Sequence, residues 1–179
     1  MQKIIITLLL QILLLTGCET PRTYYQAKKD PFIMTNYQAV DALIASTGKQ
    51  RNLSSNAPVL VANLVNTDAL GESSSLGKII AEQVQGRLAQ HGYAVSEMKL
   101  RSQLFVKNAQ GDLLPSPEVV QLSMLNHAQA IVLGTYAVAN NFVYVSLKMV
   151  GSDNVILGAH DYTLPRSDDM RALLKKPCC

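Results

Sequence analysis

The chain has no cysteine anywhere in its middle. Of its three cysteines, one is Cys18 and the other two are the final residues, Cys178 and Cys179. This distribution excludes a disulfide within the interior of a folded domain, and it leaves no set of sulfur ligands for a structural metal. We interpret Cys178 and Cys179 as an exposed tail whose thiols oxidise, with a bridge to another chain as the alternative.

Long runs of basic residues are missing as well. The net charge is +3, and no run of Lys or Arg is longer than the pairs Lys28-Lys29 and Lys175-Lys176. A nucleic-acid surface requires a clustered basic patch or stripe. We therefore expect no nucleic-acid partner.

The sequence also lacks the spacings that catalytic and metal sites need. His91, His127 and His160 are 36 and 33 residues apart, and none has a second ligand at i+2, i+3 or i+4. There is no G-x-S-x-G pattern of the kind that presents a nucleophilic serine. These absences predict that the protein holds no metal and is not an enzyme.

One stretch, GESSSLGK at residues 71–78, comes close to a phosphate-binding loop. A P-loop has four residues between its glycines and a Ser or Thr after its lysine. Here five residues separate Gly71 from Gly77, and Ile79 follows Lys78. We interpret the stretch as a serine-rich helix cap in which Gly77 permits close packing, and we predict no nucleotide and no cofactor.

The only long apolar run lies at the N terminus. Lys3 is followed by an apolar stretch over residues 4–15 and then by Thr16, Gly17 and Cys18. A bilayer-spanning helix needs about 20 residues, whereas a basic start, a shorter apolar core and a small-residue end are typical of a secretory signal. The last four residues, LTGC, resemble the lipobox of bacterial lipoproteins. We therefore predict that the thiol of Cys18, the strongest nucleophile nearby, is acylated.

Acylation predicts a location. Two or more acyl chains hold a protein durably on a membrane, whereas a single chain binds only marginally. Lipoproteins retained at the inner membrane generally have Asp next to the lipidated cysteine, and here Glu19 follows Cys18. We predict a lipid anchor in the outer membrane, on its periplasmic face.

Removing the signal leaves about 160 residues, enough for one domain with a core and a tether. Within residues 37–46, Val40, Leu43 and Ile44 have helical spacing, so a short helix that ends near Gly48 is predicted within the tether. The predicted division is a signal peptide over residues 1–17, a lipidated tether over 18–56, a folded domain over 57–165 and a C-terminal tail over 166–179.

The predicted fold class is α/β (α+β), with a mixed sheet of about five strands and helices packed on it. PVLVANLV, residues 58–65, is dense enough in apolar residues to be a buried central strand. A helix follows with Leu76, Ile80, Val84 and Leu88 at every fourth residue, and then a strand over residues 93–98. Strand, helix and strand in this order predict a right-handed crossover between parallel neighbours.

The second half predicts an antiparallel meander. An irregular stretch with a turn at residues 108–111 comes first, and after it Ser116 and Pro117 suit the cap and first turn of a helix. Three strands then follow, over residues 130–139, 142–150 and 155–164, and the middle one alternates, with Val143, Val145, Leu147 and Met149 on one face. Gly134 is interpreted as a bulge or a position of tight packing rather than as part of a cofactor site. Four aromatic residues are predicted to cluster near the meander: Tyr136, Phe142, Tyr144 and Tyr162.

Several of these stretches together resemble a known family. PVLVANLVNTDAL, SSSLGKIIAEQVQGRLAQHGYAVSEMKLRSQL, AIVLGTY and VYVSLKMV look like the FlgO domain of bacterial outer-membrane lipoproteins associated with flagella, over roughly residues 57–165. The features S-L-G, H-G-Y-A-V and L-G-T-Y carry most of the resemblance. It implies a non-enzymatic periplasmic lipoprotein that supports flagellar assembly, stability or motility, with flagellar or other envelope proteins as partners.

Two alternatives remain open. A similar lipoprotein domain could serve another envelope machine, as an activator of peptidoglycan synthases or an accessory of a secretion pore, since a fold does not determine a function. An enzyme or nucleotide binder built on residues 71–78 is the other, and the missing hydroxyl after Lys78 argues against it.

Overall fold

The computed structural model describes residues 30–48, 53–54, 56–98, 105–107 and 113–175. The described helices are α1 (Pro31–Ser46), α2 (Ser75–Gln90), α3 (Pro117–Leu125) and α4 (Asp168–Leu174). The described strands are β1 (Val59–Val61), β2 (Val65–Asn66), β3 (Ala69–Ser73), β4 (Val95–Glu97), β5 (Phe105–Lys107), β6 (Leu113–Pro115), β7 (Ala130–Val138), β8 (Phe142–Gly151) and β9 (Ile156–Pro165).

Strand β7 organises a mixed seven-stranded sheet. One of its edges pairs antiparallel with β8, and its other edge pairs in parallel first with β1 and then with β2. Strands β4, β3 and β9 extend the sheet beyond β1, β2 and β8 respectively. Strands β1 and β4 are parallel neighbours and α2 lies between them in the chain, so the predicted parallel pairing is confirmed. The predicted antiparallel meander is also confirmed, as β7, β8 and β9.

The sheet separates two apolar layers, because successive side chains of a strand point to opposite faces. Helices α1, α2 and α4 cover one face, and α3 covers part of the other. In β7, Ala130, Val132 and Tyr136 belong to the first layer, whereas Ile131 and Leu133 belong to the second. Such a strand, buried on both faces, explains the continuous apolar run AIVLGTY.

A one-residue bulge interrupts the run PVLVANLV between β1 and β2. Val61 pairs with Val132 and Val65 pairs with Thr135, so three residues on one strand oppose two on β7. The extra residue inverts the alternation of faces. Leu64 consequently joins the first apolar layer and Val65 joins the second.

Two glycines make room for Leu64. A Cβ at Gly77, in the first turn of α2, would lie 2.1 Å from the carbonyl oxygen of Leu64. A Cβ at Gly134 in β7 would lie 2.5 Å from Cγ of the same leucine. The Leu64 N–H also donates a hydrogen bond of 3.2 Å to the carbonyl of Gly77. The tight packing predicted for both glycines is confirmed, and Leu64 is what occupies the space.

The first helix is longer than expected and belongs to the folded unit. It begins at Pro31 rather than near residue 37, and the Asp30 side chain caps it by accepting a hydrogen bond of 2.9 Å from the N–H of Phe32. Val40 and Leu43 are fully buried in the first apolar layer, against β9 and α2. Helix α1, which falls within the stretch assigned to the tether, is therefore packed into the same core as the sheet.

The sheet has more strands than the roughly five that were predicted. The missed elements are short: β2 and β3 follow the bulge, and β5 and β6 form a separate antiparallel hairpin in a stretch predicted to be irregular. Strands of two or three residues, such as β2, β5 and β6, are too short to show a period-two pattern, and the five residues of β3, ALGES, do not alternate between apolar and polar. The turn predicted at residues 108–111 lies outside the described residues.

Other boundaries agree with the sequence. The four apolar residues at every fourth position of α2 are fully buried. Gly92, at φ +85°, lies just beyond the C-terminal end of that helix. Ser116 caps α3 through its hydroxyl, with Pro117 in the first turn. Among the described residues, no helix has both the length and the apolar content needed to cross a bilayer.

The junction around Leu64 generates a prediction from two glycines of the same helix. Gly77→Ala should lower the free energy of unfolding by about 1–3 kcal/mol, because the new methyl group overlaps a backbone carbonyl. Gly86→Ala is the matched control, since nothing lies within 4 Å of a Cβ there. It should raise that free energy by up to about 1 kcal/mol through helix propensity. Urea unfolding of both variants tests this, and equal effects would contradict the close approach.

Candidate functional site

The predicted lipidation site, Cys18, lies outside the described residues, and so do Cys178 and Cys179. Acylation of Cys18 therefore stays a prediction. Within the described residues, the positions singled out from the sequence lie at three places: the start of α2, the contact surface of α1, and the outer face of the meander.

The start of α2 contains the stretch that resembled a phosphate-binding loop. Ser74 caps the helix, and its hydroxyl accepts a hydrogen bond of 3.0 Å from the N–H of Gly77. The hydroxyl of Tyr136 in β7 donates a hydrogen bond of 2.6 Å to the same Ser74 oxygen. The predicted helix cap is thus confirmed, and its hydroxyl is part of a fixed contact between helix and sheet.

Three of the stretches that carry the family resemblance meet at this point. S-L-G contributes Gly77, L-G-T-Y contributes Gly134 and Tyr136, and Leu64 comes from PVLVANLV. A short hydroxyl contact and two glycine contacts hold these stretches together. The motifs therefore specify the joint between α2 and the sheet.

A buried polar contact fixes α1 to its neighbours. Asn36 is 1% exposed, and its side-chain oxygen accepts a hydrogen bond of 2.6 Å from the hydroxyl of Tyr162 in β9. Its side-chain nitrogen donates to Oε1 of Gln83 in α2. Burial raises the pKa of Tyr162, so the phenol remains a neutral donor. Buried polar atoms need such partners, and this contact sets the position of α1 against both neighbours.

An ion pair joins α1 to α2 near the surface. Arg87 donates hydrogen bonds to both carboxylate oxygens of Asp41, from Nε and from Nη2, each 2.7 Å long. Nε2 of His91 lies 2.7 Å from one of the same oxygens, and the Arg87 guanidinium lies 5.4 Å from the ring centroid of Tyr37. The hydrogen bond from Arg87 is the main cause that lowers the pKa of Asp41 from 3.8 to about 2.

The three histidines occupy separate places. His91 lies beside Asp41, the ring of His160 stacks on Tyr162 with centroids 6.2 Å apart, and His127 lies exposed beyond α3 at φ 49°. In the part of the chain that the structure describes, no three or more His, Cys, Asp and Glu side chains come together in a way that could hold a metal ion.

The aromatic cluster predicted near the meander is not formed, because the sheet separates its members. Tyr136 and Tyr162 pack into the first apolar layer beneath the helices. Phe142 and Tyr144 point to the opposite face of β8 and are 43% and 54% exposed. The alternation along β8 assigns the two pairs to different faces, and the prediction from sequence proximity alone was wrong.

A groove opens where α1 begins, α4 begins and β9 ends. We call it the α1–α4 groove; its volume is about 540 Å³. Phe32, Ile79 and Leu173 contribute apolar surface to it, and Asp30 and Asp169 also line it. Its volume lies within the range of known ligand pockets, about 300–1,000 Å³.

The comparison with protein families agrees with this geometry. The family model of the FlgO protein matches residues 37–169, which include the whole joint between α2 and the sheet. The chain belongs to the FlgO family. No curated protein sequence matches the chain.

Several solved structures are similar to this FlgO-family chain at low sequence identity. The C-terminal domain of LpoB from Escherichia coli superposes with a TM-score of 0.50 and 12% identity, covering 75% of this chain and 98% of that domain. PelC from Paraburkholderia phytofirmans, solved as a dodecamer, gives a TM-score of 0.48 at 12% identity, covering 70% and 86%. The lipoprotein GNA1162 from Neisseria meningitidis gives 0.42 at 12% identity, covering 63% and 83%. The likeness to LpoB extends to the fold alone.

The contact at Asn36 predicts the effect of removing one hydroxyl. Tyr162→Phe should lower the free energy of unfolding by about 1–3 kcal/mol, because it leaves a buried amide oxygen without its donor. Tyr144→Phe removes the same atom from an exposed position in the neighbouring strand and should change stability little. Urea unfolding of the two variants measures the difference, and similar losses would contradict the role of the contact.

The ion pair at Asp41 predicts a pH dependence. Its pKa is lowered on folding, so its contribution to stability is complete above its ordinary pKa of 3.8 and is lost as the pH falls to about 2. The free energy of unfolding of Asp41→Asn should therefore lie below that of the unchanged protein at pH 5 and approach it near pH 2. The difference should be small, because Asp41 and Arg87 are 37% and 28% exposed. Asp168→Asn, at a carboxylate that is 95% exposed, is the control, and its free energy of unfolding at pH 5 should stay close to that of the unchanged protein.

Proposed function

We propose that this protein is a non-enzymatic outer-membrane lipoprotein whose periplasmic domain supports flagellar assembly, flagellar stability or motility. Membership of the FlgO family carries the proposal, because the match spans residues 37–169. The lipobox-like LTGC at residues 15–18 supports the anchor, and Glu19 beside Cys18 supports the outer membrane.

The way in which α1 is held supports an adaptor attached to a surface. An anchor at Cys18 connects to the body through residues 19–29 and enters it at Asp30. Along α1, Asn36 is bonded to β9 and α2, and Asp41 is bonded to α2. A pull on the tether is therefore carried from the first helix into the sheet, so the domain can bear load between a membrane and a partner.

The contacts at residues 71–78 favour a structural role over catalysis. The Ser74 hydroxyl is used by the helix N–H of Gly77 and by the phenol of Tyr136. Leu64 closes against the same turn of the helix. A phosphate-binding loop instead directs its backbone N–H groups at an open site. We therefore assign this segment to packing.

The proposal predicts the result of a deletion and rescue experiment. Deleting the gene should reduce swimming and the number of intact flagella per cell while general envelope integrity is retained. A gene that encodes the unchanged protein should restore both. Cys18→Ser should fail to rescue and should not fractionate as a mature protein with outer membranes, because the acylated thiol is absent.

Two further variants separate anchoring from folding. Gly134→Trp should fail to rescue because it disrupts the contact with Leu64, whereas Gly86→Ala should rescue fully. Normal swimming and flagella in the deletion strain, together with altered cell shape or sensitivity to wall-targeting antibiotics, would contradict the flagellar role and favour an activator of peptidoglycan synthases. A secretion defect with normal swimming would favour the secretion-pore alternative.

A further inference from the structure

The α1–α4 groove combines an apolar floor with an acidic rim. Ile79, Leu164 and Met170 contribute to the floor, and the last two are almost completely buried. Among the described residues that line the groove, Asp30 and Asp169 carry the only charges, and both are carboxylates. A segment with apolar or aromatic side chains and a positive charge is therefore the complementary occupant.

The rim carboxylates are available to a cation. Asp30 is exposed at the start of α1, and one of its carboxylate oxygens accepts a hydrogen bond from the N–H of Phe32. Asp169 is exposed in the first turn of α4. A lysine ammonium with an aliphatic stem can cover apolar surface and reach such a rim with its charge.

The chain itself supplies this chemistry at the edge of the groove. Asp30 lines the groove, and the residue before it in the chain is Lys29. The preceding residues, 24–29, read YYQAKK, with two tyrosines and two lysines. Because the segment is covalently attached, its effective concentration at the groove is on the order of millimolar or more, which a separate partner must exceed.

We propose that residues 24–29 bind in the α1–α4 groove, with their tyrosines against the apolar floor and their lysines at Asp30 and Asp169. This inference deepens the proposed function, because it defines how the domain faces the membrane. With residues 24–29 bound, only residues 18–23 remain as a spacer. Six residues span at most about 20 Å, against about 40 Å for the twelve residues 18–29. The groove side of the domain is thereby held close to the lipid surface.

Disulfide trapping in the full chain tests the docking. Gln26→Cys keeps both tyrosines and both lysines, and it is combined with Leu173→Cys in the groove. Ala172→Cys, the more exposed neighbour on the same helix, replaces Leu173→Cys in the matched control. Cys178→Ser and Cys179→Ser are present in both chains, so the terminal thiols do not compete. Formation of a disulfide requires Cα atoms about 4.4–6.8 Å apart.

We call the chain with Gln26→Cys and Leu173→Cys the 26/173 pair, and the chain with Gln26→Cys and Ala172→Cys the 26/172 pair. We expect oxidation in cells to yield several-fold more intramolecular cross-link for the 26/173 pair than for the 26/172 pair, measured by mass spectrometry and by mobility on non-reducing gels. Lys28→Glu with Lys29→Glu should lower the 26/173 yield several-fold, and adding Asp169→Lys should restore much of it. Such restoration by reversed charge is not expected from a variant that merely unfolds. Equal yields for the two pairs, an unchanged yield after charge reversal, or predominantly intermolecular cross-links would overturn the proposal.

The same pairs in a Cys18→Ser background separate the docking from the anchor. The preference for 26/173 should persist there, because the groove and the segment are unchanged. A lost preference in both backgrounds rejects the docking and leaves the lipoprotein function standing. A retained preference, with membrane fractionation unaffected by Cys18→Ser, supports the docking and rejects the anchor.

Discussion

The fold depends on the close approach of Leu64 to two glycines. Gly77 lets the backbone of the bulge touch the first turn of α2, and Gly134 lets the leucine side chain lie directly on β7. The contact brings three separate stretches of chain together at one point. Protein interiors tolerate neither overlap nor empty space at this scale. The orientation of α2 over the sheet follows from this one approach.

The sequence predicted elements wherever a pattern repeats over several turns or residues. Leu76, Ile80, Val84 and Leu88 define α2, and the alternation along β8 assigns its core face correctly. The bulge was not predicted, because PVLVANLV reads as one continuous apolar run. Its presence explains why the polar Asn63 can stand inside that run: the extra residue moves the alternation past it.

The packing of α1 into the core and its polar contacts could not be predicted from a sequence pattern. Asn36 and Tyr162 are 126 residues apart, and nothing local in either stretch indicates that they meet. Asp41 and Arg87 likewise become partners only once two helices are packed side by side. The sequence shows which side chains can donate or accept hydrogen bonds, but which of them pair depends on how the helices and strands are arranged. Such contacts contribute to the position of α1 more than to net stability, since an exposed ion pair is worth little.

The central position of β7 has a consequence for the order in which the protein can be assembled. β1 finds its partner on β7 about 70 residues later in the chain, and α1 is completed only by β9. A chain that is synthesised or exported from its N terminus therefore presents an apolar helix face and a buried-type strand before their partners exist. In the meander, β7, β8 and β9 are consecutive in the chain, so these strands can pair without segments that are distant in the sequence. The meander in the last third of the sequence is thus the surface on which β1 and α1 pack. Until the meander is present, the apolar surfaces of β1 and α1 stay exposed.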